Sequence, residues 1–348
     1  MLDATLQELG WDDAWASELE HMEDENLIPG RVAAQHRGEY VVWTETDEVR
    51  AEVTGRLRYE HSVGGELPAV GDWVALRAGS AVIQAVLPRR SAFRRKSAGF
   101  DSVDQVLAAN VDAVFLLSGL DDDFSVRRIE RYLTTAWESG AEPVVVLTKA
   151  DLCAEVEAAV AEAEAVAIGA SVLAVSNITG EGLDALTPQL APGRTIALLG
   201  SSGVGKSTLL NRLAGTELMR TAALAADGTG RHTTTHRELV RLPGGGLVID
   251  TPGLRELQLW QGDVDTSFQD VQLLAVGCRF RDCAHTHEPG CAVLAAVDDG
   301  RLELDRLRSW RKLQRELEAI AARTDRRLRA ARKRRWKQHA RSIRKPRW

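Results

Sequence analysis

The chain has 348 residues, 44% hydrophobic and 27% charged, an ordinary globular composition with length for two or three domains that each bury a core. No apolar run approaches the ~18 residues of a membrane span, and the start M-L-D-A-T-L-Q-E-L lacks the basic and apolar regions of a signal peptide; a soluble, cytoplasmic protein with no membrane partner is expected. The net charge of −6 is unevenly spread: Arg323 to Trp348 carry thirteen Lys/Arg and one acid, Asp325, which leaves −18 on residues 1–322.

Residues 1–29 form an N-terminal extension with many acids and no Lys or Arg. One small amphipathic helix, about Ala4 to Met22, is expected there, and no role is assigned to it. From Gly30 the pattern turns to short alternating strands: E-Y-V-V-W-T, V-R-A-E-V-T-G-R-L-R-Y, D-W-V-A-L-R and A-V-I-Q-A-V-L. Turn residues punctuate them at Gly64-Gly65 and Pro68 to Gly71. About five strands in sixty residues predict an OB-like β-barrel over 30–100. On the longest of these strands Arg56, Arg58 and Tyr59 either face RNA or form its wet side.

Over 101–275, apolar β-branched strands at Ala113 to Leu117, Pro143 to Leu147, Val172 to Val175, Thr195 to Leu199 and Leu247 to Ile249 alternate with helices. This predicts a parallel α/β sheet. Each motif here follows a strand, where open α/β sheets bind ligands. T-K-A-D comes first, Thr148 to Asp151. Asp151 would accept from guanine N1–H and N2–H₂, a donor pair adenine lacks, while Lys149 lays its stem over the base. Thr148 stands where such motifs usually have Asn, and it makes fewer of the hydrogen bonds that brace the loop. Ser176 and Asn177 supply a loop whose backbone N–H would meet guanine O6.

G-S-S-G-V-G-K-S matches G-x-x-x-x-G-K-[ST] in every fixed position and lies between a strand and a helix. Gly200, Ser201, Ser202, Gly203, Val204 and Gly205 form the expected phosphate cradle, with Lys206, Ser207 and Thr208 opening the helix. Lys206 would reach the β/γ-phosphates and Ser207 would offer its hydroxyl to Mg²⁺. In an ordinary GTPase this loop precedes the base-reading motif; here it follows, so the site is rotated along the chain. G-T-G-R-H-T-T-T-H, Gly228 to His236, reads as a switch. Thr233, Thr234 and Thr235 are candidates to complete the Mg²⁺ shell, with Thr234 preferred. In D-T-P-G, Asp250 would hold Mg²⁺ through water and the Gly253 N–H would contact the γ-phosphate. Leu254 occupies the place of a water-orienting Gln, which predicts slow intrinsic hydrolysis, and His232 is the candidate to position water.

Residues 276–348 hold C-R-F-R-D-C-A-H-T-H-E-P-G-C and then a long basic helical stretch. Cys278, Cys283, His285 and Cys291 would make a closed, structural Zn²⁺ site, with His287 as the alternative fourth ligand. Cys153 reads as a small buried hydrophobe. The basic tail, with Trp336 and Trp348 interleaved, suits nucleic-acid phosphates or a solvated helix face.

These residues resemble a known family over nearly the whole chain. P-A-V-G-D-W-V, Q-V-L-A-A-N-V-D at Gln105 to Asp112, the rotated nucleotide motifs, G-R-H-T-T-T, D-T-P-G-L-R-E and the C-x₄-C-x-H-x₅-C cluster are similar to those of the circularly permuted GTPases called ribosome small-subunit-dependent GTPase A. The resemblance implies a multidomain fold: an OB barrel, a central permuted P-loop GTPase and a C-terminal, mostly helical zinc domain. It implies GTP/GDP with Mg²⁺, one structural Zn²⁺, and the small ribosomal subunit with its rRNA as partners of a monomer. It further implies action late in subunit maturation, with hydrolysis stimulated by the particle. Two other classes stay open: another RNA-associated P-loop nucleotidase, and a zinc-finger nucleic-acid-binding protein. Asp151 and the rotated order argue against an ATPase or kinase.

Overall fold

The computed structural model describes residues 5–22, 24–36, 38–62, 65–95, 105–122, 124–215, 238–250, 268–280 and 283–324. The switch candidates His232, Thr233, Thr234 and Thr235, the Gly253–Leu254 pair and the basic stretch from 325 lie outside the described residues, as does the side chain of Asp250. Two compact units divide the chain, Met1–Gln258 and Leu259–Trp348.

In the first unit, β1 (Leu27–Gln35), β2 (Tyr40–Trp43), β3 (Glu48–Val53), β4 (Trp73–Arg77) and β5 (Val82–Val86) pair in the order β1-β2-β3-β5-β4. β4 returns to β1 over Leu27 to Arg31, and this closes the barrel. Alternate residues point inward, so Val32, Tyr40, Val42, Val74, Leu76 and Ile83 fill the interior. Packing is tight: a Cβ on Gly30 would sit 2.5 Å from Val42 Cγ1. The first strand begins three residues before the expected barrel boundary at Gly30 and coincides with none of the four segments expected to be strands.

One strand expectation fails. Val49 to Tyr59 was expected to be a single strand, but β3 stops at Val53 and Gly55–Ser62 is a helix. The Thr54 hydroxyl accepts from Leu57 N–H and caps it, and Leu57 is the helix's buried anchor. Val53, Leu57 and the alternation between them fit a period of two as well as a helical turn. Arg56, Arg58 and Tyr59 therefore sit on a helix surface, where Arg56 pairs with Glu60 and Arg58 with Glu52.

The second sheet region runs β10 (Ser171–Ala174), β9 (Glu142–Thr148), β8 (Ala113–Gly119), β11 (Thr195–Gly200), β13 (Leu247–Asp250), all parallel. Every residue of β8 is buried, as expected for the middle of a covered parallel sheet. β12 (Glu238–Arg241), a short antiparallel strand absent from the sequence reading, edges β13. Its Glu238 also pairs with Ala34 of β1, joining sheet and barrel. A small hairpin of β6 (Ala92–Arg95) and β7 (Gln105–Ala109) lies between the two regions in sequence.

The N-terminal segment is not one helix. A 3₁₀ turn, Gln7–Leu9, and a helix, Asp13–Glu20, are separated at Gly10, whose φ is +91°. A Cβ there would meet Gly193 O at 2.7 Å, so the break lets the two segments touch. Asp12 then caps the helix through the Ala14 and Trp15 N–H groups. Leu6, Leu9 and Trp15 join the same core as Trp73, Val114 and Leu116, and Trp11 meets Trp73 edge-on at 4.7 Å. Arg31 is buried beside them and donates to Leu9 O, Asn110 O and Thr195 Oγ1.

The second unit packs helices Gln269–Ala275, Ala292–Asp298 and Leu304–Thr324 around Phe268, Val271, Val293, Ala296 and Leu307. Arg306 makes two bonds to Asp270 and lies over the Phe268 ring. Among the described residues no helix is long and apolar enough to cross a membrane.

Candidate nucleotide site and metal centre

Three segments converge at the C-terminal ends of β9, β10 and β11. The first is the phosphate loop, between β11 and the helix Lys206–Ala214. Gly203 and Gly205 hold φ values of +78° and +100°, open to glycine at little cost. Val204 is buried among Leu209, Leu210 and Ala214 and pins the loop to the core. Lys206 Nζ donates to Gly200 O at 2.8 Å and to Ser201 O, so its ammonium is folded across the mouth of the loop. Ser201 and Ser202 line the loop; Ser207 and Thr208 sit in the helix's first turn, where the helix dipole favours an anion.

The second segment follows β9. Lys149 adopts a left-handed conformation, φ +61°, and starts the tight turn that carries Asp151. The Ser176 hydroxyl donates to Asp151 Oδ1 at 2.5 Å and accepts from the Ile178 and Thr179 N–H groups. The carboxylate is thereby held by the third segment, the loop after β10, with its other oxygen uninvolved in that bond. Thr148, expected to brace less well than Asn, donates from Oγ1 to Val204 O at 2.6 Å. Asn177 Nδ2 donates to Gly205 O at 3.2 Å. Both base-side loops are therefore bonded to the phosphate loop.

One residue escaped the sequence reading. Asp121, two residues past β8, holds Lys149 Nζ at 2.5 Å. Its signal was positional: an acid just past a strand of the same sheet edge. Asp250 ends β13, beside β11, so its backbone stands at that edge too.

The metal centre is in the second unit. Cys278, Cys283, His285 and Cys291 bring their ligand atoms within 4.8 Å of one another. Cys278 Sγ lies 3.8 Å from Cys291 Sγ, and His285 Nδ1 lies 3.5 and 3.4 Å from those two sulfurs. A tetrahedral zinc with ordinary bond lengths spaces two sulfurs by about 3.8 Å and a sulfur and nitrogen by about 3.6 Å, so the donor set fits that ion. Burial holds the His285 imidazole below its ordinary pKa, which keeps it neutral, the ligating form. Burial likewise pushes the Cys283 thiol up to about 11, so ionising it calls for a cation. His287, the alternative fourth ligand, stands apart, exposed and beside the Thr286 hydroxyl. Glu288 ties the intervening loop by accepting from the His287, Thr286 and Ala284 N–H groups, which draw its pKa down to about 2. Cys153 is half-buried against the main core.

Known proteins share this plan. A family model described as RsgA GTPase matches residues 86–260, and one described as 50S ribosome-binding GTPase matches 195–331, starting at β11. A protein of Opitutus terrae, named small ribosomal subunit biogenesis GTPase RsgA, is 52% identical over 96% of this chain and 95% of its own. The crystal structure of YjeQ from Thermotoga maritima is 29% identical, with a TM-score of 0.62 over 84% of this chain and 98% of that one. The structure of YloQ, described as a circularly permuted GTPase, is 25% identical with a TM-score of 0.58 over 85% and 96%. The inverted order of base-reading and phosphate-binding segments is thus inherited, and the chain belongs to the RsgA family of circularly permuted GTPases.

Proposed function

We propose that this GTPase acts in late maturation of the small ribosomal subunit, binding the particle with GTP and leaving after hydrolysis. The observation that carries the nucleotide half is the bonded junction of three loops, with Asp151 presented by Ser176 beside the phosphate loop. The ribosomal half is supported by relatives named for small-subunit biogenesis that match nearly end to end.

In this reading Asp151 and Lys149 read guanine, helped by Thr148, Ser176 and Asn177, and residues 200–208 grip the phosphates. Lys206 stabilises charge on the transferring phosphoryl group; Ser207, Thr234 and Asp250 hold Mg²⁺, and Gly253 senses the γ-phosphate. His232 positions water. Cys278, Cys283, His285 and Cys291 hold one structural Zn²⁺ that fixes the helices around it and takes no part in hydrolysis. The basic tail contacts rRNA phosphates, and the protein works as a cytoplasmic monomer in four parts, 1–29, 30–100, 101–275 and 276–348.

Leu254 leaves no side chain able to orient water from that position, which fits slow turnover alone and stimulation by the particle. Steady-state GTP hydrolysis with and without purified small subunits tests this. Large stimulation by small subunits, absent with large subunits or free tRNA, is expected. Equal rates in all mixtures would refute it.

A further inference from the structure

Asn177 has more to do than offer its backbone to a base. Its side chain crosses from the loop after β10 to the start of the helix Lys206–Ala214, where Nδ2 meets Gly205 O at 3.2 Å. The amide orientation is fixed chemically, since only a nitrogen can face a carbonyl. That same carbonyl accepts the helix's Leu209 N–H at 2.8 Å, using its second lone pair. A Cβ on residue 205 would come within 3.0 Å of Nδ2, so this glycine leaves room for the bond as well as for its own +100° backbone. One residue earlier, Thr148 Oγ1 meets Val204 O at 2.6 Å.

Two successive carbonyls of the phosphate loop are thus held by side chains from two separate base-side loops. In a trans peptide the C=O and N–H point in opposite directions, and no described peptide is cis. Holding the Val204 and Gly205 carbonyls toward the base side turns the Gly205 and Lys206 N–H groups the other way, into the loop. We propose that Asn177 is a positioning residue for the phosphate grip: with Thr148 it sets the orientation of the two peptides whose N–H groups bind the β-phosphate. The assignment rests on the nucleotide-site reading above.

The test uses the full-length protein, a fluorescent GDP analogue, and Mg²⁺-pyrophosphate as a competitor that engages the phosphate loop and no base site. Asn177→Ala should weaken GDP and pyrophosphate by the same factor, about five- to tenfold, the worth of one hydrogen bond. Asn177→Asp, which sets a carboxylate oxygen against the Gly205 carbonyl, should lose more than Asn177→Ala. Asp151→Ala should weaken GDP and leave pyrophosphate unchanged, showing that the two halves are read separately. The proposal is overturned if Asn177→Ala matches wild type, if its loss is confined to GDP, or if Asn177→Asp and Asn177→Ala lose equally. A wild-type chain that bound no GDP would refute the nucleotide-site reading itself, a result distinct from each of these.

Discussion

The nucleotide cradle and the Cys₃His cluster are both made from short loops, yet different contacts surround them. The cradle is a margin of a large core: its loops leave buried strands, and Val204, Thr148 and Asn177 tie them together without any ligand. The cluster has a small helical unit around it, and its four donors lie at zinc-ligand spacing. On the function proposed above, the nucleotide is a guest at the first site, whereas zinc at the second would be part of the fold. A guest can be removed and the site persists; removing a structural ion releases donors whose packing against each other depends on it.

That contrast can be broken most directly at Lys206. Lys206→Ala should weaken GDP binding by a factor of about 100 or more, with the melting transition of the nucleotide-free protein nearly unchanged. Loss of folding there would erase the distinction. Cys283→Ala should do the reverse: zinc is lost, as read by a colorimetric chelator, and helical signal from the second unit falls, while GDP affinity stays within about twofold. Asp151→Asn sharpens the description of the cradle. Guanine should lose about tenfold or more and xanthine nucleotides should gain, because an amide presents both a donor and an acceptor to the base edge.

The smallest effect lies at the edge of the first unit. Arg90 makes two 2.7 Å bonds to Asp12 and holds its carboxyl below the ordinary value of 3.8. A lowered carboxyl pKa adds stability that is present above about 3.8 and is lost as pH falls through the folded value. The pair is half exposed, so Asp12→Asn should cost only about 0.5–1 kcal/mol at pH 7. The gap to wild type should close below pH 4 in denaturant titrations, with zinc content unaltered.

The motifs were legible because each is local. The phosphate loop, T-K-A-D and the cysteine spacing are read within a few residues, and the elements carrying them appear where the strand and helix patterns put them. The joints were not legible. Thr148 reaches Val204, and Asn177 reaches Gly205, only because β9, β10 and β11 end at one sheet edge; nothing in either stretch names its partner. Asp121 was missed for the same reason. The helix at Gly55–Ser62 was misread because two periods fit its few apolar residues, and β12 because four residues at a sheet edge carry almost no pattern. The break at Gly10 answers to Gly193, a contact that no local rule anticipates.

Arg31 carries a practical lesson about transplanting parts. Burial is the chief cause that draws its pKa down to about 10, and its partners come from three distant stretches: Leu9, Asn110 and Thr195. A barrel grafted into another protein as residues 30–100 would arrive with this cation and none of those acceptors. The seam that looks natural in the sequence therefore runs through a knot. An exchange between relatives would have to move residues 5–22, the barrel, Asn110 and Thr195 as one piece.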